Sequence, residues 1–196
     1  MIEVEVKLPL QNHGDVEKEL VRLGFTALDL VRERDIYYTS DFHDFMKKDE
    51  ALRIRSCENI TRGTASAFIT YKGPKIDTVS MTRKELETGI FDMTAMHEIL
   101  RALGYREVIP VKKLRQYYHR DMEIQADHKR IPLSVHACFD QVEDLGAFLE
   151  LEILVEGEED RQTALYVIEG ILHELGYSLA DTNRYSYLFM LQENIH

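Results

Sequence analysis

Met1-Ile-Glu-Val-Glu-Val-Lys-Leu8 is the stretch on which the reading of the whole chain turns. Ile2, Val4, Val6 and Leu8 alternate with Glu3, Glu5 and Lys7. A β-strand sends successive side chains to opposite faces, so this strand has one apolar face and one charged with both signs. Alone, it reads as an edge strand with a solvated side. The same alternation recurs on strand after strand, and the recurrence is what needs a cause.

The 196 residues suffice for one substantial core, and no stretch rich in Gly, Pro or Ser divides them. A single domain over residues 1–196 is expected. Lys and Arg number 24 against 35 Asp and Glu, a formal charge of −11. That balance speaks against nucleic-acid or anionic-membrane partners, because a polyanion needs a basic surface. A small anion in a local basic pocket stays open. No apolar run approaches a membrane span, and the strand pattern begins at once, so no signal peptide is expected. Cys57 and Cys138 lie far apart without metal-type spacing, which suits a reducing cytoplasm.

Along the chain, Asp15 to Gly24 has a helical stripe of Val16, Leu20, Val21 and Leu23. Residues 28–39 look extended. Residues 52–58 and 64–72 form a hairpin around Asn59-Ile-Thr-Arg-Gly63. A short strand over 81–87 precedes a helix with Asp92 as N-cap and Gly104 as stop. Residues 108–122, 133–142 and 146–155 are extended, a helix runs from about Glu159 to Leu175, and the aromatic tail from Arg184 to Gln192 forms a short packed helix.

The charged residues on these strands fall at i, i+2 and share a face. The cations are Lys7, Arg53, Arg55, Lys72, Arg83, Lys113 and Arg115; the acids are Glu3, Glu5, Glu85, Glu87, Asp140, Glu150 and Glu152. An exposed sheet face would mix in Thr, Ser and Gln. If the sheet instead curls into a barrel, with helices covering its apolar side, the charged side lines a tunnel. Such an interior is costly unless cations meet anions or a ligand supplies the missing charge. A polyphosphate with its divalent metal wants both: Arg and Lys for phosphate oxygens, carboxylates for Mg²⁺ or Mn²⁺. A solvated sheet face is the competing reading of the pattern alone. No G-x-x-x-x-G-K-[ST], G-x-G-x-x-G or H-E-x-x-H motif is present, and the eight His are scattered. His136 and Cys138 share strand parity with Asp140, which does not make a metal site.

Glu3-x-Glu5-x-Lys7 resembles the E-x-E-x-K signature of the CYTH superfamily, the triphosphate tunnel metalloenzymes. The later members follow in order: Asp35-Ile-Tyr-Tyr38, Leu52-Arg-Ile-Arg55, Thr70-Tyr-Lys-Gly-Pro74, Arg83-x-Glu85-x-Glu87, Lys113-x-Arg115, Asp140, Leu145-Gly146 and Glu150-x-Glu152. The resemblance implies an α+β fold: an eight-stranded antiparallel β-barrel with helices packed outside. It implies that Lys7, Arg53, Arg55, Lys72, Arg83, Lys113 and Arg115 hold a triphosphate. Glu3, Glu5, Asp140, Glu150 and Glu152 would bind Mg²⁺ or Mn²⁺, with Glu85 and Glu87 as a supporting network. Glu3, Glu5, Lys7, Lys113 and Glu152 would carry catalysis.

Within that superfamily, Asp49-Glu-Ala-Leu-Arg-Ile-Arg55 and Thr70-Tyr-Lys-Gly-Pro-Lys75 are similar to the class IV adenylyl cyclase group. The implied reaction is ATP to cyclic AMP and pyrophosphate. The alternative is a triphosphatase acting on inorganic triphosphate, thiamine triphosphate or a nucleotide; a non-catalytic polyphosphate-binding module is the third reading. The resemblance also allows a homodimer, since dimers are common in that group.

Overall fold

The computed structural model describes residues 2–11, 13–76, 80–126 and 129–193; Met1, where the quoted stretch begins, lies outside them. The rest of the stretch is strand β1, Ile2–Leu10. Helix α1 (His13–Arg22), β2 (Thr26–Thr39), β3 (Ala51–Asn59), β4 (Thr64–Lys75) and β5 (Arg83–Gly89) follow. Next come α2 (Met93–Ala102), the short β6 (Arg106–Glu107), β7 (Val111–Ala126), β8 (Lys129–Val142) and β9 (Gly146–Val155). The chain ends in α3 (Glu158–Glu174), a 3₁₀ turn over Leu179–Asp181, and α4 (Tyr187–Glu193).

Pairing runs β3-β4-β5-β1-β9-β8-β7-β2, and β2 pairs back onto β3. Among the described residues, eight antiparallel strands therefore close into a barrel, with β6 extending the end of β2. This is the architecture expected from the sequence. Closure gives the sheet an inside and an outside, and strand parity assigns each side chain to one of them.

The outside is where the main core sits. Val4, Val6 and Leu8 of β1 join Leu149, Leu151 and Ile153 of β9 beneath α1 (Val16, Leu20) and α3 (Leu165, Ile168, Leu172). Each fully buried aliphatic side chain contributes about 1.5–3 kcal/mol. Covering that face with two helices leaves Glu3, Glu5 and Lys7 pointing into the barrel. Leu100, Met93 and Met96 of α2 cover Ile36, Tyr38 and Ile54 in the same way. Asp92 caps α2 as expected, its Oδ1 accepting from the Ala95 amide at 2.9 Å, and Gly104 terminates it with φ of +89°. No helix among the described residues is long and apolar enough to cross a membrane.

One hairpin departs from the sequence reading. Strands β7 and β8 run on past the expected 122 and 133, to Ala126 and from Lys129. Pro132, which has no ladder N–H, lies opposite Glu123 on a part of β8 that pairs with β7 alone, since pairing with β9 starts at Val135. The tail forms a short packed helix as expected, and this α4 caps one end of the barrel: Tyr187 and Met190 pack on Tyr37, Val111, Val142 and Phe148.

Candidate active site

Strand register brings the charged side chains together in the barrel. Across β1 and β9, Glu5 lies opposite Glu152 and Lys7 opposite Glu150. Arg115 faces Asp140 across β7 and β8, Asp35 faces Arg55 across β2 and β3, and Lys72 faces Glu85 across β4 and β5. All the sequence-predicted site residues except Asp140 line one cavity of about 830 Å³.

Asp140, expected among the metal-binding acids, lies behind the cavity wall. It is fully buried, and its oxygens accept from Arg115 Nε and Nη2 at 2.6 Å each, Lys113 Nζ at 3.0 Å and the Tyr187 hydroxyl at 2.9 Å. These four hydrogen bonds make the carboxylate an anchor that orders two cations. Arg115 also pairs with Glu150, and Lys7 Nζ lies 3.5 Å from Glu150 and 4.1 Å above the Tyr187 ring. Burial would raise the Glu150 carboxyl, but Arg115, Lys7 and Lys113 outweigh it and hold the group well below its ordinary range.

Glu33 and Asp35 of β2 form a second such anchor. Arg55 donates to Asp35 at 2.7 and 2.8 Å, and its Nη1 lies 3.0 Å from Glu33. Arg53 donates to Asp35 and to Thr70 Oγ1, both at 3.3 Å, while its buried Nε has no hydrogen-bond partner. In the sequence Asp35 stands only as the start of the motif Asp35-Ile-Tyr-Tyr38, without a role, and Glu33 is not singled out. Arg32-Glu33-Arg34-Asp35 carries charge on both strand faces, which hides the alternation; only parity with Tyr37 marks the inward set. Tyr187 reads there only as part of the aromatic tail.

These anchors make the fold acid-sensitive. Burial raises the Glu33 carboxyl, but Arg55, Lys113 and Arg115 outweigh that and bring it down from an ordinary 4.5 to about 2. A folded value below the unfolded one means a stabilising share complete above pH 4.5 and lost as pH falls toward 2. The thermal midpoint should drop steadily over that window; a flat profile would refute the pairing.

Glu3, Glu5 and Glu152 form the third group, and it lacks counter-charge. Among the described residues Glu3 and Glu5 have no ion pair, and Glu152 has only Arg115 at 3.6 Å. The nearby Lys72 is paired with Glu85, and Glu87 accepts from Thr70 Oγ1 at 2.7 Å. Burial, then the neighbouring Glu152, pushes the Glu3 carboxyl well above its ordinary range. Burial also lifts Glu152 to about 7; Arg115 opposes this, and Glu5 and Glu150 add to it. Three adjacent carboxylates that repel one another in a buried wall are suited to a cation.

Residues 1–187 match the CYTH domain family model. The chain belongs to the CYTH domain family. A CYTH relative from Methanocaldococcus jannaschii, named as a candidate adenylate cyclase, is 37% identical over 188 residues, covering 96% of this chain and 97% of that one. The solved PH1819 protein from Pyrococcus horikoshii OT3 superposes with a TM-score of 0.82 at 37% identity, covering 98% and 99% of the two chains. A protein from Hippeastrum shares the fold, with a TM-score of 0.64 at 16% identity over 98% of this chain and 95% of that one. It is named as a candidate adenylyl cyclase and described as having a dominant triphosphatase activity.

Proposed function

We propose that the barrel binds a triphosphate together with Mg²⁺ or Mn²⁺ and converts ATP to cyclic AMP and pyrophosphate. The observation that carries this reading is the segregation of charge inside the barrel. Cations line the same cavity as Glu3, Glu5 and Glu152, which among the described residues share a single ion pair, Arg115 to Glu152 at 3.6 Å. The name of the 37% identical relative points the same way.

The donor set fits a hard divalent ion. Among the described residues no three His, Cys, Asp or Glu side chains stand as a ready-made cage. Mg²⁺ does not require one, because one or two carboxylates, phosphate oxygens and water complete its shell. Glu3, Glu5 and Glu152 would hold it, and when bound it supplies Lewis-acid stabilisation and a more acidic hydroxyl. Asp140 and Glu150, committed to Arg115, Lys113 and Lys7, serve instead by fixing those cations.

Lys7, Arg53, Lys72, Arg83 and Lys113 hold the phosphate oxygens; the unpartnered Arg53 Nε is a donor waiting for one. Arg55 is tied to two carboxylates and Arg115 to three, and both present a fixed positive wall. Glu85 and Glu87 keep Lys72 and Thr70 in place. The ribose 3′-oxygen attacks the α-phosphorus and loses its proton to water in the open cavity. The bond from that phosphorus to the β-phosphoryl oxygen breaks, and the surrounding cations stabilise the charge developing on the departing pyrophosphate. The activity described for the Hippeastrum protein supports a second reading, in which water attacks the γ-phosphorus, the bond from it to the bridging oxygen breaks and orthophosphate leaves, while the same residues hold the triphosphate.

Product analysis decides between them. ATP, tripolyphosphate and thiamine triphosphate are each incubated with the protein and Mg²⁺ or Mn²⁺. Cyclic AMP and pyrophosphate from ATP is the expected result. Orthophosphate without cyclic AMP would establish the triphosphatase instead, and no product from any of the three would remove both.

A further inference from the structure

Two departures from regular structure converge on Lys75, the last residue of β4. Strand alternation counted from the inward Lys72 would turn Lys75 outward. Lys72 pairs with Glu85 and Lys75 with Arg83, however, so β4 carries one extra residue against β5. This β-bulge at Gly73-Pro74 resets the parity and aims Lys75 into the cavity with Arg83. Both residues suit it. Pro74 has no ladder N–H to lose, and a Cβ on Gly73 would meet the Lys84 carbonyl oxygen at 3.3 Å.

The second departure is Asp49, in the connection between β2 and β3. A turn over residues 45–49 closes with the Glu50 amide donating to the Phe45 carbonyl at 2.8 Å and the Asp49 amide to the Met46 carbonyl at 3.1 Å. That closure holds Asp49 at a φ of +54°, where glycine is the usual residue. Glycine would relieve the strain but would bring no carboxylate. The Asp49 carboxylate accepts from the Lys75 amide at 2.9 Å, pairs with the Lys75 ammonium and lies 3.8 Å from Arg83 Nη2. Among the described residues Asp49 is the sole ion-pair partner of Lys75. An ammonium has three N–H donors, so the pair fixes its place and leaves donors for a ligand.

Register puts this lysine next to the site. Arg83 pairs with Lys75 on one side and with Glu3 on the other, so the three form one row across β4, β5 and β1. Neighbouring strands lie about 4.8 Å apart, so a phosphate that meets Arg83 beside an ion on Glu3 is within reach of Lys75. We infer that Lys75 is a further phosphate-binding cation of this site and that Asp49 is its positioning residue. The inference rests on the triphosphate reading above. The bulge hides Lys75 from the alternation that marks the other seven cations.

Thermal-shift titrations of the full chain with Mg²⁺ and either tripolyphosphate or ATP test it. Lys75→Ala should weaken binding about tenfold, the scale of one charge-assisted hydrogen bond. Lys18→Ala removes the same charge from the exposed face of α1 and should stay within about twofold, because salt screens a surface charge. Asp49→Asn tolerates the left-handed backbone and keeps an acceptor for the Lys75 amide, but releases the ammonium. It should weaken binding about threefold, the effect of restoring freedom to one long side chain, and have no effect once Lys75 is alanine. Should Lys75→Ala fail to fold, Lys75→Gln, which keeps the length and loses the charge, gives the same comparison. Equal losses for Lys75→Ala and Lys18→Ala, or none for either, overturn the role of Lys75 while leaving triphosphate binding intact. A loss from Asp49→Asn that persists without Lys75, or no loss at all, overturns the positioning role. A wild-type protein stabilised by neither ligand overturns the triphosphate reading itself.

Discussion

Asp140→Ala is expected to destabilise the protein by about 3–5 kcal/mol, the cost of removing one partner from a buried ion pair. The side chain is fully buried and takes hydrogen bonds from Arg115, Lys113 and Tyr187. Alanine would leave two buried cations facing each other with Glu33, Glu150 and the more distant Glu152 to balance them. Domains are stable by only about 5–15 kcal/mol, so the loss is a large fraction of the whole. Denaturant unfolding measures it directly. A change under about 1 kcal/mol would show that the network is not held by this carboxylate. Asp140→Asn keeps the shape and removes the charge, and it should fall between wild type and alanine.

Glu152→Gln should have the opposite profile: metal-dependent turnover down roughly 100-fold or more, with the fold retained. Glu152 stands among carboxylates and has one cation at 3.6 Å, so a neutral amide relieves repulsion and strands little charge. Turnover with Mg²⁺ and thermal melting of the metal-free protein read the two effects separately. Turnover at the wild-type level would take Glu152 out of the metal-binding group. The contrast with Asp140 is the useful part, because both acids lie on neighbouring strands and both looked alike as ligands. One is saturated by cations and the other is starved of them.

That difference marks the boundary of what one dimension can tell. The strands and their two faces were legible because that signal is local, whereas closure into a barrel was implied by the resemblance to the CYTH superfamily. The alternation of Glu3, Glu5 and Lys7 with Val4, Val6 and Leu8 follows from the two-residue period of a strand, and the same period marks Arg53, Arg55, Glu150 and Glu152. The helices were legible for the same reason, through apolar stripes, the Asp92 cap and the Gly104 stop. Parity therefore placed most of the site before any contact was known. Where charge sits on both faces, as in Arg32-Glu33-Arg34-Asp35, the period is masked and the anchoring role of Glu33 and Asp35 is hidden.

Partner choice belongs to the tertiary structure alone. Lys113 and Asp140 are 27 residues apart, Asp35 and Arg55 20, and strand register brings each pair together. Whether a carboxylate is neutralised, as Asp140 is, or left to repel its neighbours, as Glu3 and Glu152 are, depends on those distances and on burial. The tail shows the same limit: its sequence reads as a short apolar helix, and only packing sends Tyr187 under Lys7 and leaves Tyr185 and Phe189 to the cavity. Strand parity fixed which residues share a face, because side-chain direction along a strand is a local property. Which face turns inward, which charges are paired and what closes the barrel follow from contacts between elements distant along the chain, where electrostatics and packing act.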